Sequence, residues 1–89
     1  MTHEMSLINN LLRKIEHVAS ERRAKKVTGV KVRLGALSHI SVSHFREHFV
    51  TGVAGTVAEG ARLDIEVSQD SSDPYAQDIM LISVDVALL

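Results

Sequence analysis

Apolar residues recur at three- and four-residue steps from Ser6 to about Arg23. Leu7, Ile8, Leu11, Leu12, Ile15, Val18 and Ala19 make one stripe, with Asn9, Asn10, Arg13, Lys14, Glu16, His17 and Glu21 opposite it, so the segment reads as an amphipathic helix. The period then changes to two. Val30, Val32 and Leu34 alternate with Lys31 and Arg33, which predicts a strand with one buried face, ended by Gly35. Residues 35–41 read as a turn into a second helix, with Ser41 or Ser43 as N-cap, Phe45, Phe49 and Val50 on the inner side, and a stop near Gly52. Gly52, Gly55 and Gly60 punctuate an irregular connection. After it Ala61, Leu63, Ile65 and Val67 alternate with Arg62, Asp64 and Glu66 as a second strand. A polar loop from Ser68 to Asp78 follows, and Ile79 to Val86 reads as the last strand.

The order α-β-α-β-β predicts an α/β fold of the two-layer α+β kind, a single domain over residues 1–89. Two helices can cover only one face of a three-stranded sheet. The other face is expected to be partly wet, and there Lys31 and Arg33 are expected to meet Asp64, Glu66 and Asp85, each cross-strand pair contributing about 0.2–1 kcal/mol. Unpaired strand edges leave a strand-paired or swapped homodimer open to the chain.

Composition narrows the chemistry. Aromatics are only 3% of the chain against 45% hydrophobic residues overall, so the core is aliphatic. The formal charge of -1 gives no reason to expect a nucleic-acid or anionic-membrane partner. Arg22, Arg23, Lys25 and Lys26 form a basic cluster, but no aromatic is interleaved to stack a base, and the cluster reads as the solvated C-terminal end of the first helix. The absence of cysteine excludes disulfides, thiolate zinc sites and a cysteine nucleophile together. No apolar run approaches the ~18 residues of a membrane span and no signal pattern opens the chain, so a cytoplasmic protein is expected.

Histidines are the remaining source of metal chemistry. His3 lies close to a chain end, where a terminal amine, deprotonated backbone amides and the imidazole can close fused rings of nitrogen ligands in one plane. Square-planar nitrogen sites favour Ni(II) or Cu(II) over the tetrahedral preference of Zn(II). His44-Phe45-Arg46-Glu47-His48 matches H-x-x-E-H, which places two imidazoles on one helix face. As a peptidase centre it would need a third ligand from another helix and a cleft beyond the reach of so short a chain, so the stretch reads as the polar outer face of the second helix, with Phe45 and Phe49 turned inward, and a weak accessory metal site at His44 and His48 ranks above catalysis. His39, in the turn after the first strand, is a candidate auxiliary ligand, and His17 reads as surface. The three methionines are scattered and suggest no copper site.

His3-Glu4-Met5-Ser6-Leu7 at the start, Val30 through Ser38 (VKVRLGALS) in the middle, and Ala58-Glu59-Gly60-Ala61-Arg62-Leu63-Asp64-Ile65 later resemble the HypA/HybF family of hydrogenase nickel-incorporation proteins. The resemblance implies a metallochaperone and not an enzyme. It implies that Ni(II) is bound at the N-terminal His and passed to nickel-iron hydrogenase or another nickel enzyme, with a HypB-type GTPase and the hydrogenase large subunit as partners. Glu4 stands where the family carries an acid, and the resemblance gives it a tuning or orienting role.

Two departures from the family pattern matter. Its members carry a zinc-binding domain with two C-x-x-C pairs between the last two strands, and here the short loop 68–78 stands in that place, so no zinc is expected. Family proteins begin Met-His-Glu, whereas here Thr2 precedes His3. With Met1 removed, the amine of Thr2, the amides of His3 and Glu4 and the His3 imidazole supply four nitrogens. With Met1 retained, the amine and the amides of Thr2 and His3 take those places. The reading from a different class is a protein-interaction adaptor in metalloenzyme maturation that needs no metal.

Overall fold

The structure is a computed structural model that describes residues 3–88, the side chain of His3 excepted. Its first element, α1 (His3–Glu21), exists because the apolar stripe has something to cover: Ile8, Leu11, Ile15 and Ala19 are all buried in the core. The helix begins at His3, three residues before the start expected from the stripe. Apolar periodicity says nothing about a first turn that faces water, and Glu4 suits the positive end of the helix. At the other end Ala24 N–H donates to Ala19 O at 2.9 Å and Arg23 N–H to Ser20 O at 3.0 Å, the paired closure of a helix whose next residue turns left-handed. That residue is Arg23, with φ 52°, at a position where glycine is usual. The basic cluster therefore lies beyond the last helical turn instead of within it. One member has a structural task, since the Arg22 guanidinium donates to the Val84 carbonyl at 3.1 Å and ties the end of α1 to the last strand.

The sheet contains β1 (Lys26–Leu34), β2 (Arg62–Val67) and β3 (Ile79–Ala87) in the order β2-β1-β3. β1 runs parallel to β2, with Val30 opposite Leu63 and Leu34 opposite Val67, and antiparallel to β3, with Val30 opposite Val84 and Leu34 opposite Ile79. The central strand starts four residues before the alternating run that revealed it. Val27 and Val30 are both buried although three apart, because the register to β3 shifts between Val27 and Gly29.

The parallel pair requires a crossover, and α2 (Val42–Val53) provides it. Ser41, not Ser43, is the N-cap, its side chain accepting from the His44 N–H at 3.2 Å. Phe45, Phe49 and Val53, four apart, are buried against the sheet. Val50, expected inside, is 61% exposed: one residue beyond Phe49 rotates about 100° off the buried stripe, and Val53 returns to it. Val67 is likewise exposed, at the end of an edge strand.

Both helices lie on one side of the sheet, and the turn after β1 seals one end of it. Gly35 N–H donates to Asp78 O and Leu37 N–H to Ala76 O, and a Cβ on Gly35 would stand 2.1 Å from the Ala76 carbonyl oxygen. Only a residue without a side chain lets the turn meet the loop 68–78 so closely.

The uncovered face carries charge. Arg33 pairs with Glu66 at 3.4 Å, as expected, but Asp85 is taken by neither Lys31 nor Arg33. Instead Arg62 crosses the central strand from one edge to the other, bonding Asp64 at 3.1 Å and Asp85 at 3.0 Å. It passes over Gly29, where a Cβ would lie 2.7 Å from its Nη2. Hydrogen bonds to Asp64 and then Asp85 raise the Arg62 pKa, so the guanidinium stays charged throughout the accessible pH range.

Candidate metal centre

The topology gathers the candidate ligand-bearing segments at one end. α1 ends beside the start of β1, where Lys25 N–H donates to Ala87 O, so α1 starts at the opposite end, beside the carboxyl end of β1. There Leu7 lines a crevice of about 340 Å³ with Asp78, Ile79 and Met80, residues at or next to the partners of Leu34 and Gly35. The turn carrying His39 leaves from the same place, and α2 begins there too. Two helix starts thus flank the carboxyl ends of two parallel strands, the end at which open α/β sheets generally receive ligands.

Within the first turn the structure places Glu4 and the backbone of His3; Met1, Thr2 and the His3 imidazole lie outside the described residues. The amides of the first helical positions have no acceptor within their own helix. They are therefore available to a metal without the loss of an intrahelical bond. Glu4 is half-buried, and its Oε1 is shielded from water with no hydrogen-bond partner among the described residues. Such an oxygen is costly, about 1–3 kcal/mol and more for a charged group, unless a donor or cation meets it. Sequence reasoning reached Glu4 by resemblance alone, and nothing in the residue pattern marks the orphaned oxygen.

His39 is exposed and adopts φ 58° in the turn before α2. A left-handed backbone at a non-glycine residue is uncommon, and histidine is among the residues that tolerate it best. His44 and His48 share one face of α2, their ring centroids 6.1 Å apart and inclined by 53°. No group of three or more His, Asp or Glu side chains converges among the described residues, so the H-x-x-E-H match lacks the third ligand a peptidase centre needs. His17 lies on the exposed side of α1, as expected, and is there 3.4 Å from Glu21.

The loop 68–78 offers carboxylates, hydroxyls and amides, and the chain holds no thiolate, so the residues present do not fit a four-cysteine site. The loop is organised by its own turns instead: the Asp70 carboxylate accepts from the Ser72 hydroxyl at 2.6 Å and the Ser72 N–H at 3.0 Å, which lowers the Asp70 pKa. No helix among the described residues is long and apolar enough to cross a membrane.

Comparison with known proteins places this geometry in context. Residues 1–72 match the family described as "Hydrogenase/urease nickel incorporation, metallochaperone, hypA". The chain is similar to the hydrogenase maturation factor HypA of Archaeoglobus fulgidus, 40% identical over 67 residues, which cover 75% of this chain and 61% of that protein. It is also similar to that of Aquifex aeolicus, 42% identical over 67 residues, covering 75% and 58% respectively. To that of Escherichia coli K12 it is 39% identical over 64 residues, covering 72% and 55%. The match thus spans about 60% of the length of the first two relatives. In fold it resembles the solution structure of the Ni metallochaperone HypA from Helicobacter pylori, with a TM-score of 0.77 at 21% identity, over 97% of this chain and 98% of that one.

Proposed function

The chain belongs to the HypA family of nickel-incorporation metallochaperones, and from that premise and the geometry of its first turn we propose that it binds Ni(II) at its N-terminus and delivers it during maturation of nickel-iron hydrogenase or another nickel enzyme. The observation that carries this reading is the family match, which runs from residue 1 and so takes in His3 and Glu4. Nickel is cargo here, and the chain acts as a carrier. Its work is to hold the ion tightly enough to exclude water and loosely enough to surrender it.

The ligand set is the N-terminal amine, backbone amides from among Thr2, His3 and Glu4, and the His3 imidazole. In a chelate ring closed by two successive backbone nitrogens, the N–Cα–C–N torsion lies near zero, whereas a helix holds it near about -42°. Nickel uptake therefore unwinds the first turn of α1. Little stands in the way, because the amides involved have no intrahelical bonds to lose. The orphaned Glu4 Oε1 supplies an acceptor beside this turn, suited to orienting the His3 imidazole or balancing the ion's charge. In the cytoplasm the partners on this reading are a HypB-type GTPase and the hydrogenase large subunit.

The experiment is Ni(II) titration of untagged chain, followed by calorimetry and the d–d absorption band, beside His3→Ala and an amine-blocked form. A square-planar spectrum and tight binding, both lost in the two altered forms, are expected. Tight binding that persists in both would remove the N-terminal chelate. Absence of tight binding in the unaltered chain would leave the metal-free adaptor as the function.

A further inference from the structure

We propose that His44 and His48 form a second, weaker site for a borderline divalent cation, a two-imidazole chelate on the outer face of α2 that is independent of the N-terminus. Residues four apart on a helix stack one above the other, and these two rings already lie 6.1 Å apart. Bringing one nitrogen of each to about 2.0–2.1 Å from a shared ion needs only side-chain rotation. Neither ring has anything to give up, since His44 is exposed, His48 half-buried, and neither makes a hydrogen bond or ion pair among the described residues. His17 lacks a second imidazole a turn away and is held by Glu21.

The backbone beneath the pair is preorganised. Ser41 caps the helix by accepting from the N–H of His44 itself, and Phe45 and Phe49, each one residue beyond a histidine, are fully buried in the core. The turn from 44 to 48 is therefore anchored on its inner side and open on its outer side. That is a requirement for a surface chelate, because a fraying turn would lose the second ligand.

The surrounding charges set the strength. The positive end of α2 and the exposed Arg46 oppose a cation, while Glu47, three residues after His44, favours one. Glu47 does not complete a three-ligand group. Two ligands leave the remaining coordination positions to water or to side chains of a receiving protein. Such a site binds weakly and exchanges quickly, and Cu(II) should bind it more tightly than Ni(II) or Zn(II). Its position on the helix that starts beside α1 suits a transfer point at the same end of the molecule as the first turn.

The test uses the untagged full chain carrying His3→Ala, so that its result does not depend on the terminal chelate. Ni(II), and separately Cu(II), is titrated in and followed by paramagnetic broadening of backbone amide resonances. Broadening centred on residues 43–49 is expected, with uptake weakened in His44→Ala and in His48→Ala by at least the roughly 10–100-fold that loss of a mere supporting group costs a metal site. His17→Ala should leave it unchanged, and far-UV circular dichroism checks that every variant is folded. Broadening absent from α2, or uptake that survives His44→Ala and His48→Ala, overturns the proposal. Failure of the N-terminal reading shows separately, as an unaltered chain that binds no more nickel than His3→Ala.

Discussion

The two faces of the sheet are made from the same three strands and are stabilised by opposite means. On the covered face Val30, Val32, Leu34, Ile79 and Val84 are buried under α1 and α2, and stability follows from apolar area removed from water. On the open face Arg62, Asp64, Asp85, Arg33 and Glu66 pair in full view of solvent, where ion pairs gain little after screening and side-chain ordering. The covered face thus decides whether the chain folds. The open face is suited to water, because it presents paired charges where the covered face presents apolar area.

The sharpest break in this comparison is Phe45→Ala. Phe45 is fully buried between helix and sheet, and truncation should cost about 3–5 kcal/mol, a large part of the stability of so small a domain. Chemical denaturation would measure it, and a loss under 1 kcal/mol would mean that α2 is not anchored as described. Far smaller is the effect of Gly29→Ala, which directs a methyl at the tip of the Arg62 side chain. The guanidinium can swing aside, and replacing a strand glycine recovers up to about 0.5–1 kcal/mol, so the variant should be neutral or slightly more stable. Arg62→Ala should be detectable only at low ionic strength and vanish at about 1 M salt, where the screening length falls to about 3 Å. A salt-insensitive loss would assign Arg62 a packing role instead.

The smallest effect concerns neither face but the loop that joins β2 to β3. Asp70 has its pKa lowered by hydrogen bonds from Ser72, so the folded state holds this proton less tightly than the unfolded chain. The sign follows from linkage: its contribution is full above the ordinary carboxylate pKa and is lost as pH falls through the lowered folded value. Asp70→Asn should therefore lower stability slightly at neutral pH, leave the strongly acid end almost untouched, and so flatten the acid limb of the stability profile. Denaturation midpoints taken across the acidic range would show it.

How much of this was legible in the residues differs element by element. Ile8, Leu11, Ile15 and Ala19 announced α1, and Phe45 and Phe49 announced α2, because a buried stripe writes its period directly into the chain. The same logic misplaced Val50, whose side chain is apolar but whose angle on the helix faces water, and it missed the first turn of α1, where no apolar residue is required. Charges on the open face were foreseen as a group, yet their partners were not. Asp85 went to Arg62, a choice that depends on the gap over Gly29.

The candidate sites divide in the same way. His3, His44 and His48 were visible as residue types at particular spacings, since chelation is local chemistry read within one turn. The unbonded Glu4 oxygen, the left-handed His39 and the shared end that brings α1 and α2 together were not visible.

The sequence by itself determined the elements, their order and the membership of a nickel-handling family, because helix and strand periods and short motifs are properties of neighbours along the chain. Only the tertiary structure decided that β1 is central, that β2 lies parallel to it, and that Arg62 spans all three strands. It alone placed the start of α1 beside the carboxyl end of β1. Those outcomes depend on register and on distances between residues far apart in the chain, and no local pattern encodes a distance until packing has chosen it.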